Sequence, residues 1–339
     1  MKRRRFLHGF ATASAFGFAA SAFGFAATAT GCSSLIPRAL ATSRQATLAD
    51  FDVGGRIAYV SGNDIHVWSG GSSTRLTKDS RWEGPDWSPD GKLIAASQMG
   101  DNQSDIVILD TTGARVRQLT KNYTGRKSVA DTAWGRKPAW SPDGKQVAFI
   151  SDDGQVADAG YKMIDMSLFM VDADGKNLKK LVVPYFFTGG VDWPTWSPDG
   201  KQISYDHFET GKTSQIYAYT LSTDRERALT EHPEGAYAPA WSPDGKWIAF
   251  TRRNQGKHDI YALPVAGGDP VKLTDSGANL APCWSPDGSL LAYITQTEDA
   301  AADIMVLKLA TSGGLSVEGS KQITKGEPVK STSGLSWTS

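Results

Sequence analysis

The pentapeptide Trp-Ser-Pro-Asp-Gly constrains the fold of this chain more than any other feature, because it occurs five times. Its tryptophans are Trp87, Trp140, Trp196, Trp241 and Trp284. A sixth tryptophan, Trp337, stands where another copy would begin, and the successive intervals are 53, 56, 45, 43 and 53 residues. This spacing is typical of a propeller blade rather than of a helical repeat.

The repeat that contains Trp241 shows why each unit predicts four strands. Trp241 ends one strand, and residues 242–245 form a turn in which proline presets φ and glycine supplies a backbone angle closed to other residues. Short runs of aromatic and branched residues follow at 246–251, 259–263 and 271–274, each bounded by turn residues. One such sheet cannot cover its own apolar faces, so the blades must pack on one another in a ring.

The first blade has no Trp-Ser-Pro-Asp-Gly of its own, and its first strand is supplied by Leu335–Trp337 at the end of the chain. The sequence therefore predicts an all-β, six-bladed β-propeller over 55–339, closed by the C-terminal strand pairing into the N-terminal blade. Such closure removes the free sheet edges that an open ring would expose. The blades are expected at 55–77 with 334–339, 84–120, 137–182, 193–230, 238–274 and 281–324.

Residues 1–41 have the composition of an export signal. They carry five Lys or Arg and no Asp or Glu, and a Gly- and Ala-rich apolar stretch follows the charged start. Arg3, Arg4, Phe6 and Leu7 are arranged as in a twin-arginine signal, with a general secretory signal as the alternative. A membrane-spanning helix is less favoured, because Gly, Ser and Thr interrupt the ~20 solidly apolar residues that it would need.

The sequence leaves two processing sites open. Residues 29–32 are similar to a lipoprotein site, in which Cys32 would be lipidated, whereas residues 39–41 fit ordinary signal cleavage. Residues 42–54 are then a short linker. Both alternatives place the mature protein outside the cytoplasm, in the periplasm or anchored to the envelope. Membrane contact is expected only through a lipid on Cys32.

Charge and cysteine content exclude two classes of protein. Beyond residue 41 the chain has 31 basic and 36 acidic side chains, a net charge of about −5. Because it also has no run of basic residues, the sequence does not favour binding to nucleic acid. Cys32 and Cys283 are the only cysteines, so no disulfide framework is predicted. Cys283 takes the position before the repeat tryptophan that Ala139 and Ala240 occupy elsewhere, which favours a buried small core residue.

The repeat also resembles a known family. Ala-Trp-Ser-Pro-Asp-Gly-Lys-x-Ile-Ala-Phe at 240–250, Asp-Ile-Tyr at 259–261 and Leu-Thr at 273–274 are similar to the propeller of TolB, the periplasmic component of the Tol-Pal envelope system, and of TolB-like proteins generally. The resemblance covers 55–339. TolB also has an α/β domain before its propeller and an N-terminal segment that contacts TolA, for which the residues before Arg56 leave no room. The resemblance therefore implies a TolB-like propeller without that α/β domain.

Function is expected where the repeats are unequal. The connection from the Leu-Thr position to the next tryptophan is 11 to 14 residues long in four places, but 21 residues before Trp140 and 15 before Trp196. From Trp140 to the third strand at Leu168 there are 28 residues, against 19 or 20 in other blades. In a four-stranded meander these connections emerge on one face and the Ser-Pro-Asp-Gly turns on the other. The inserted segments, expected to cluster, are 122–137, 151–165 and 182–194.

The three inserted segments carry aromatic side chains mixed with basic ones, which is the composition of a binding hot spot. The alternative is that these side chains plug the mouth of the ring or pack on each other. The predicted partner-binding residues are Tyr123, Arg126, Lys127, Trp134, Arg136, Tyr161, Tyr185, Phe186, Phe187 and Trp193.

Signals of catalysis are weak. The sequence has no nucleophile elbow, zinc-protease motif, phosphate loop or Cys-His metal spacing. His66, His207, His232 and His258 fall in different blades, which favours solvated or turn histidines. The segment 206–209, Asp-His-Phe-Glu, is the one compact candidate for a metal or acid-base role. No catalytic residue, metal ligand or cofactor is therefore predicted.

These observations predict an exported, monomeric, non-enzymatic TolB-like propeller. Its expected partner is an envelope protein, such as a peptidoglycan-associated lipoprotein, in envelope integrity or transport, and no nucleic acid. The alternative is an exported propeller enzyme that acts on a carbohydrate or lactone, because similar repeats occur in oligogalacturonate lyases and in the propellers of prolyl peptidases. The lyase form would need clustered histidines and a metal in the channel, and the peptidase form would need a hydrolase domain.

Overall fold

A computed structural model describes residues 50–101, 103–122, 133–152, 166–184, 189–209, 211–297 and 301–339. The chain divides into two units, Met1–Ser43 and Arg44–Ser339, and all of the described residues belong to the second. Within these ranges the secondary structure consists of strands and turns, and there is no helix long and apolar enough to cross a membrane.

Twenty-four strands in these ranges form six antiparallel sheets of four strands each, which are the six blades. Blade 1 contains β1 (Arg56–Ser61), β2 (Asp64–Ser69), β3 (Ser72–Arg75) and the last strand of the chain, β24 (Ser336–Thr338). Blade 2 contains β4 (Trp82–Trp87), β5 (Leu93–Met99), β6 (Ser104–Asp110) and β7 (Arg115–Gln118). Blade 3 contains β8 (Gly135–Trp140), β9 (Gln146–Ser151), β10 (Ser167–Asp172) and β11 (Lys179–Val182).

The remaining three blades repeat this order. Blade 4 contains β12 (Gly189–Trp196), β13 (Gln202–Glu209), β14 (Gln215–Thr220) and β15 (Arg225–Ala228). Blade 5 contains β16 (Ala236–Trp241), β17 (Trp247–Asn254), β18 (Lys257–Pro264) and β19 (Val271–Lys272). Blade 6 contains β20 (Asn279–Trp284), β21 (Leu290–Gln296), β22 (Ala302–Ala310) and β23 (Ser316–Gln322).

The Ser-Pro-Asp-Gly turns join the first and second strands as the sequence predicts. In blade 5 the hydroxyl of Ser242 donates to Asp244 Oδ1 at 2.6 Å, and the same oxygen accepts the N–H of Lys246 at 3.0 Å. Gly245 has a φ of 71°, in the left-handed region that favours glycine. Side-chain hydrogen bonds thus fix the turn, which explains why its sequence recurs unchanged.

The predicted closure of the ring is confirmed. β24 pairs antiparallel with β1, with Trp337 opposite Ile57, so the last strand of the chain is the innermost strand of blade 1. The innermost strands contact one another around the ring, from β4 through β8, β12, β16 and β20 to β24 and back to β4. A central channel runs between them.

The repeat tryptophans form the contacts between blades. Trp140 packs against Ala95 and Ile106 of the preceding blade, and Trp284 packs against Ala249 and Ile260. Five of the six are buried, with 6 to 8% of their surface exposed, and Trp241 is half-buried. A tryptophan that covers the apolar face of the blade before it explains why this residue is repeated.

Truncation of the chain after Gly334 removes β24 and is expected to destabilise the whole ring. Loss of one buried tryptophan alone costs about 3–5 kcal/mol, and the truncation also exposes the edge of β1. We expect the free energy of unfolding, measured with urea, to fall by at least this amount. Deletion of Ser339 alone is the matched control, and equal stability of the two truncated proteins would contradict the role of closure.

Candidate binding site at the channel mouth

The residue three positions before each repeat tryptophan has a left-handed backbone in all six blades, with φ between 48° and 83°. In blades 2 to 6 the pairing of the first and second strands shifts register here, so each innermost strand contains a β-bulge. The bulges lie on the face where the inserted segments enter, at the mouth of the channel. The six left-handed residues are Gly84, Lys137, Trp193, Ala238, Ala281 and Gly334.

Hydrogen bonds between blades hold this conformation. In three blades the N–H of the left-handed residue donates to a buried side chain on the second strand of the preceding blade. The pairs are Lys137 with Ser97 Oγ at 3.2 Å, Ala238 with Asp206 Oδ1 at 3.2 Å, and Ala281 with Thr251 Oγ1 at 3.1 Å. The bulge is therefore determined by the packing of adjacent blades.

Lys137 and Trp193 differ from the other four, which are glycine or alanine. A large residue in the left-handed region costs on the order of 1–3 kcal/mol and persists only where its surroundings hold it. Here Lys137 Nζ lies 2.9 Å from Asp192 Oδ2 and 3.4 Å from the centroid of the Trp193 ring. The ammonium group thus pairs with a carboxylate and an aromatic face at once.

A cavity of about 360 Å³ lies at the mouth beside this pair. It combines aromatic, apolar and charged side chains, the mixture that suits a binding site. Its walls include Arg136, Lys137, Asp192, Trp193, Tyr237 and Leu280. His258, on β18, also reaches this cavity.

Charge at the mouth is concentrated on blades 2 to 4. Arg136 lies 3.2 Å from Glu83, which is also paired with Lys330, and the Arg136 side chain is 43% exposed. Burial raises the pKa of the Asp206 carboxyl, and the neighbouring Asp192 carboxylate raises it further. Burial also lowers the pKa of Lys137, against the attraction of Asp192.

A second cavity of about 360 Å³ occupies the channel behind the mouth. Asp86 on its wall accepts the N–H of Trp140 at 2.7 Å and the hydroxyl of Ser336 at 2.8 Å. Both donors are neutral, and burial raises the pKa of Asp86 to about 6. Asp86 therefore joins blades 1, 2 and 3 at the centre of the ring.

Cys283 is also on the channel wall. It is half-buried instead of fully enclosed in the core, because the position before each repeat tryptophan faces the channel. Burial, and then the proximity of Asp86, raise the pKa of its thiol to about 12. The equivalence to Ala139 and Ala240 is confirmed, since these residues line the same channel.

Three of the predicted partner-binding residues fall in the described part of the chain. Arg136 and Trp193 meet at the mouth cavity. Trp134 is half-buried and donates its N–H to Asp152 Oδ1 at 2.8 Å, at the edge of blade 3. The other predicted residues lie outside the described ranges: Tyr123, Arg126, Lys127, Tyr161, Tyr185, Phe186 and Phe187. Cys32 also lies outside them.

The described ends of the three inserted segments are hydrogen-bonded to one another. Trp134, close to the end of the first segment, donates its N–H to Asp152 at the start of the second. Met166, which follows the second, accepts the N–H of Val191 in the third at 3.0 Å. These hydrogen bonds bring the described ends of the segments close together.

The sequence analysis did not select Lys137, Tyr237 or Leu280 as site residues. A signal for Lys137 was present, because it stands three residues before a repeat tryptophan, where four of the six blades have glycine or alanine. Asp206 belongs to the mouth, whereas His207 lies beside Tyr217 at a ring distance of 5.1 Å and Glu209 pairs with Lys212 at 2.5 Å. Asp206, His207 and Glu209 thus have different surroundings, and no group of three or more metal-ligating side chains occurs in the described ranges.

Comparison with known proteins identifies the family. Residues 155–334, more than half of the chain, match the model of the TolB beta propeller domain. The chain belongs to the TolB β-propeller family. The crystal structure of TolB from Acinetobacter baumannii superposes with a TM-score of 0.63 at 22% identity, over 84% of this chain and 66% of that one, which shows a shared fold.

Relatives of this TolB-family propeller carry diverse names. An uncharacterized protein of Agrobacterium fabrum, Atu1656, is 34% identical over 40% of this chain and 43% of its own length. Dipeptidyl-peptidase 5 of Porphyromonas gingivalis is 31% identical over 43% of this chain and 20% of its own length. The Tol-Pal system protein TolB of Methylococcus capsulatus is 34% identical over 26% and 19%. The chain thus spans less than half of the length of these relatives.

The raised pKa of Asp86 predicts a pH dependence that the variant Asp86→Asn should lose. The folded state holds this proton more tightly than the unfolded chain between pH 3.8 and about 6, so stability falls as pH rises through that window. Relative to Asp86→Asn, the wild-type protein should lose up to about 2 kcal/mol of unfolding free energy between pH 4.5 and 7.5. Urea titrations at both pH values measure this difference. Parallel curves for the two proteins would show that Asp86 titrates normally.

Proposed function

We propose that this TolB-family propeller is an exported, non-enzymatic platform that binds an envelope protein at the mouth of its channel. The single observation that carries the proposal is the convergence of Arg136 and Trp193 on one cavity, beside the hydrogen-bonded ends of the three inserted segments. The repeats differ most in length where these segments enter. The blades are otherwise similar, so the longer connections distinguish this part of the channel mouth from the rest of the ring.

The chemistry of the mouth supports recognition of a protein surface. Arginine, tryptophan and tyrosine are enriched in binding hot spots, and all three types line this cavity. The ion pairs of Arg136 and Lys137 keep these side chains in fixed positions before a partner arrives. Preorganised side chains lose less entropy on binding than free ones.

The proposal of an envelope location is supported by the export signal proposed at residues 1–41 and by the relatives named as Tol-Pal system proteins. A peptidoglycan-associated lipoprotein is the partner that those names suggest. Cys32 is the proposed site of a lipid anchor if processing follows the lipoprotein route. With cleavage after Ala41 the protein would instead be free in the periplasm.

Partner capture should depend on the mouth and on the inserted segments. A segment variant carrying Arg126→Glu, Tyr185→Ala and Phe186→Ala should recover less envelope protein from detergent-solubilised membranes than the wild type. A mouth variant, Arg136→Gln, should do the same with little loss of thermal stability, because Glu83 keeps its pair with Lys330. The measurement is a pull-down with mass spectrometry, supported by the melting temperature of each variant.

Charge reversal on the opposite face supplies the control. Lys145 and Lys201 lie in the Ser-Pro-Asp-Gly-Lys turns and are 80% and 78% exposed, so Lys145→Glu with Lys201→Glu changes charge without changing the mouth. Equal capture by all of these variants would contradict the proposed site. A melting temperature lowered strongly in the segment variant would show that its side chains support packing instead.

Export should require the paired arginines. Replacement of Arg3 and Arg4 by lysine keeps the charge but removes the twin-arginine pattern, so the protein should accumulate in the cytoplasm. Cell fractionation with an antibody measures this change, and Cys32→Ser, followed by labelling with a radioactive fatty acid, tests lipidation separately. Unchanged export of the lysine variant would favour a general secretory signal.

The alternative is an exported propeller enzyme acting on a carbohydrate or lactone, and one relative does carry the name of an enzyme, although of another class, a peptidase. The two proposals differ in an observable way. A stoichiometric, tightly held divalent ion in the purified protein would favour the enzyme, as would turnover of an oligosaccharide or lactone.

A further inference from the structure

The side chain of Trp193 crosses the mouth of the channel. Trp193 belongs to blade 4, yet it packs against the apolar cluster of blades 6 and 1, beside Leu280 and Leu335. Blades 4 and 1 face each other across a six-bladed ring. The ring of Trp193 therefore extends from one side of the channel to the opposite side.

Contacts on both sides hold the Trp193 ring in this position. On one face, Lys137 Nζ is 3.4 Å from the ring centroid, and Asp192 fixes the ammonium group at 2.9 Å. On the other side the ring reaches Gly334, where an added Cβ would lie 2.7 Å from Cζ3. A glycine at this position is therefore required by the tryptophan across the channel.

Trp193 lines both cavities, the one at the mouth and the one in the channel. At the equivalent position the other blades carry Gly84, Ala238, Ala281 and Gly334, whose side chains are too short to cross, and Lys137, which pairs with Asp192. Lys137 and Ala238 line both cavities as well, and the Trp193 ring is the one aromatic side chain shared by the two walls. Behind it the channel wall presents Asp86, Thr195 and Cys283, each half-buried.

We infer that Trp193 is a removable plug, latched by Lys137 and Asp192, that separates the mouth from the interior of the channel. Loss of the contact with Lys137 frees the ring from Gly334 and joins the two cavities. The plug concerns the channel itself and does not depend on the proposed envelope partner.

The rate at which the Cys283 thiol is modified can report on the position of the plug. Cys283 is the only cysteine beyond Cys32, and it lies on the channel wall. In the full chain with Cys32→Ser, we expect N-ethylmaleimide to reach Cys283 from the Ser-Pro-Asp-Gly face, where Pro142 and Pro286 border the same cavity, and to modify it slowly. Trp193→Ala should raise this rate by more than about twofold at constant pH, because the ring at the mouth is then absent and the reagent gains a second route to the channel. Trp193→Phe, which keeps an aromatic plug, should stay close to the wild-type rate.

Gly334→Ala tests the same plug from the opposite blade. Ala238 and Ala281 occupy the equivalent positions with φ of 51° and 53°, whereas Gly334 has a φ of 83°, where alanine is also strained. The three atoms nearest to the added methyl group all belong to the ring of Trp193, so the substitution should displace the plug and speed the modification. In the double variant with Trp193→Ala, Gly334→Ala should add nothing further, because the two substitutions act on one contact.

The rates are measured by mass spectrometry at several urea concentrations well below the unfolding transition. Rates that do not change with urea show local opening, as the plug requires. Two results would overturn the inference. One is a Trp193→Ala rate within about twofold of the wild type, and the other is an acceleration that follows global unfolding.

Discussion

The structure depends on one constraint, which is that a four-stranded blade cannot cover its own apolar faces. Each blade therefore packs against the preceding one through a tryptophan of its innermost strand, and the ring is complete only when the last strand pairs with the first blade. β24 supplies that strand, with Trp337 opposite Ile57. The same type of tryptophan contact recurs between blades. A substitution that weakens one of these contacts can therefore destabilise the adjacent blade.

The repeated innermost strand also shapes the mouth of the channel. In blades 2 to 6 a bulge three residues before the tryptophan places that residue at the channel mouth. Where the residue is glycine or alanine, the mouth stays open. Lys137 and Trp193 fill this position in adjacent blades, and their contact brings a cation, a carboxylate and an aromatic ring to one side of the mouth. A regular scaffold thus becomes asymmetric through two substitutions at a repeated position.

Buried charge distinguishes the two levels of the channel. At the mouth, Lys137 is paired with Asp192, and Arg136 with Glu83, so the charges there are largely compensated. Deeper in the channel, Asp86 accepts hydrogen bonds only from the neutral groups of Trp140 and Ser336 among the described residues. Taking a carboxylate out of water without a cation is costly, which is the cause of its raised pKa.

The sequence by itself determined the fold, the number of blades and the strand that closes the ring. Each of these follows from short-range chemistry that is written several times: the Pro-Asp-Gly turn, the apolar runs beside it and the tryptophan at a fixed spacing. It also indicated Arg136 and Trp193 as candidate binding residues, because differences in length between repeats can be read directly from the sequence. The tertiary structure decided which residues meet across the channel. Trp193 reaches Gly334 from 141 positions away in the chain, and Lys137 reaches Asp192 from another blade. No local pattern encodes such contacts, because they arise only when the ring closes and the bulges turn their side chains toward one centre.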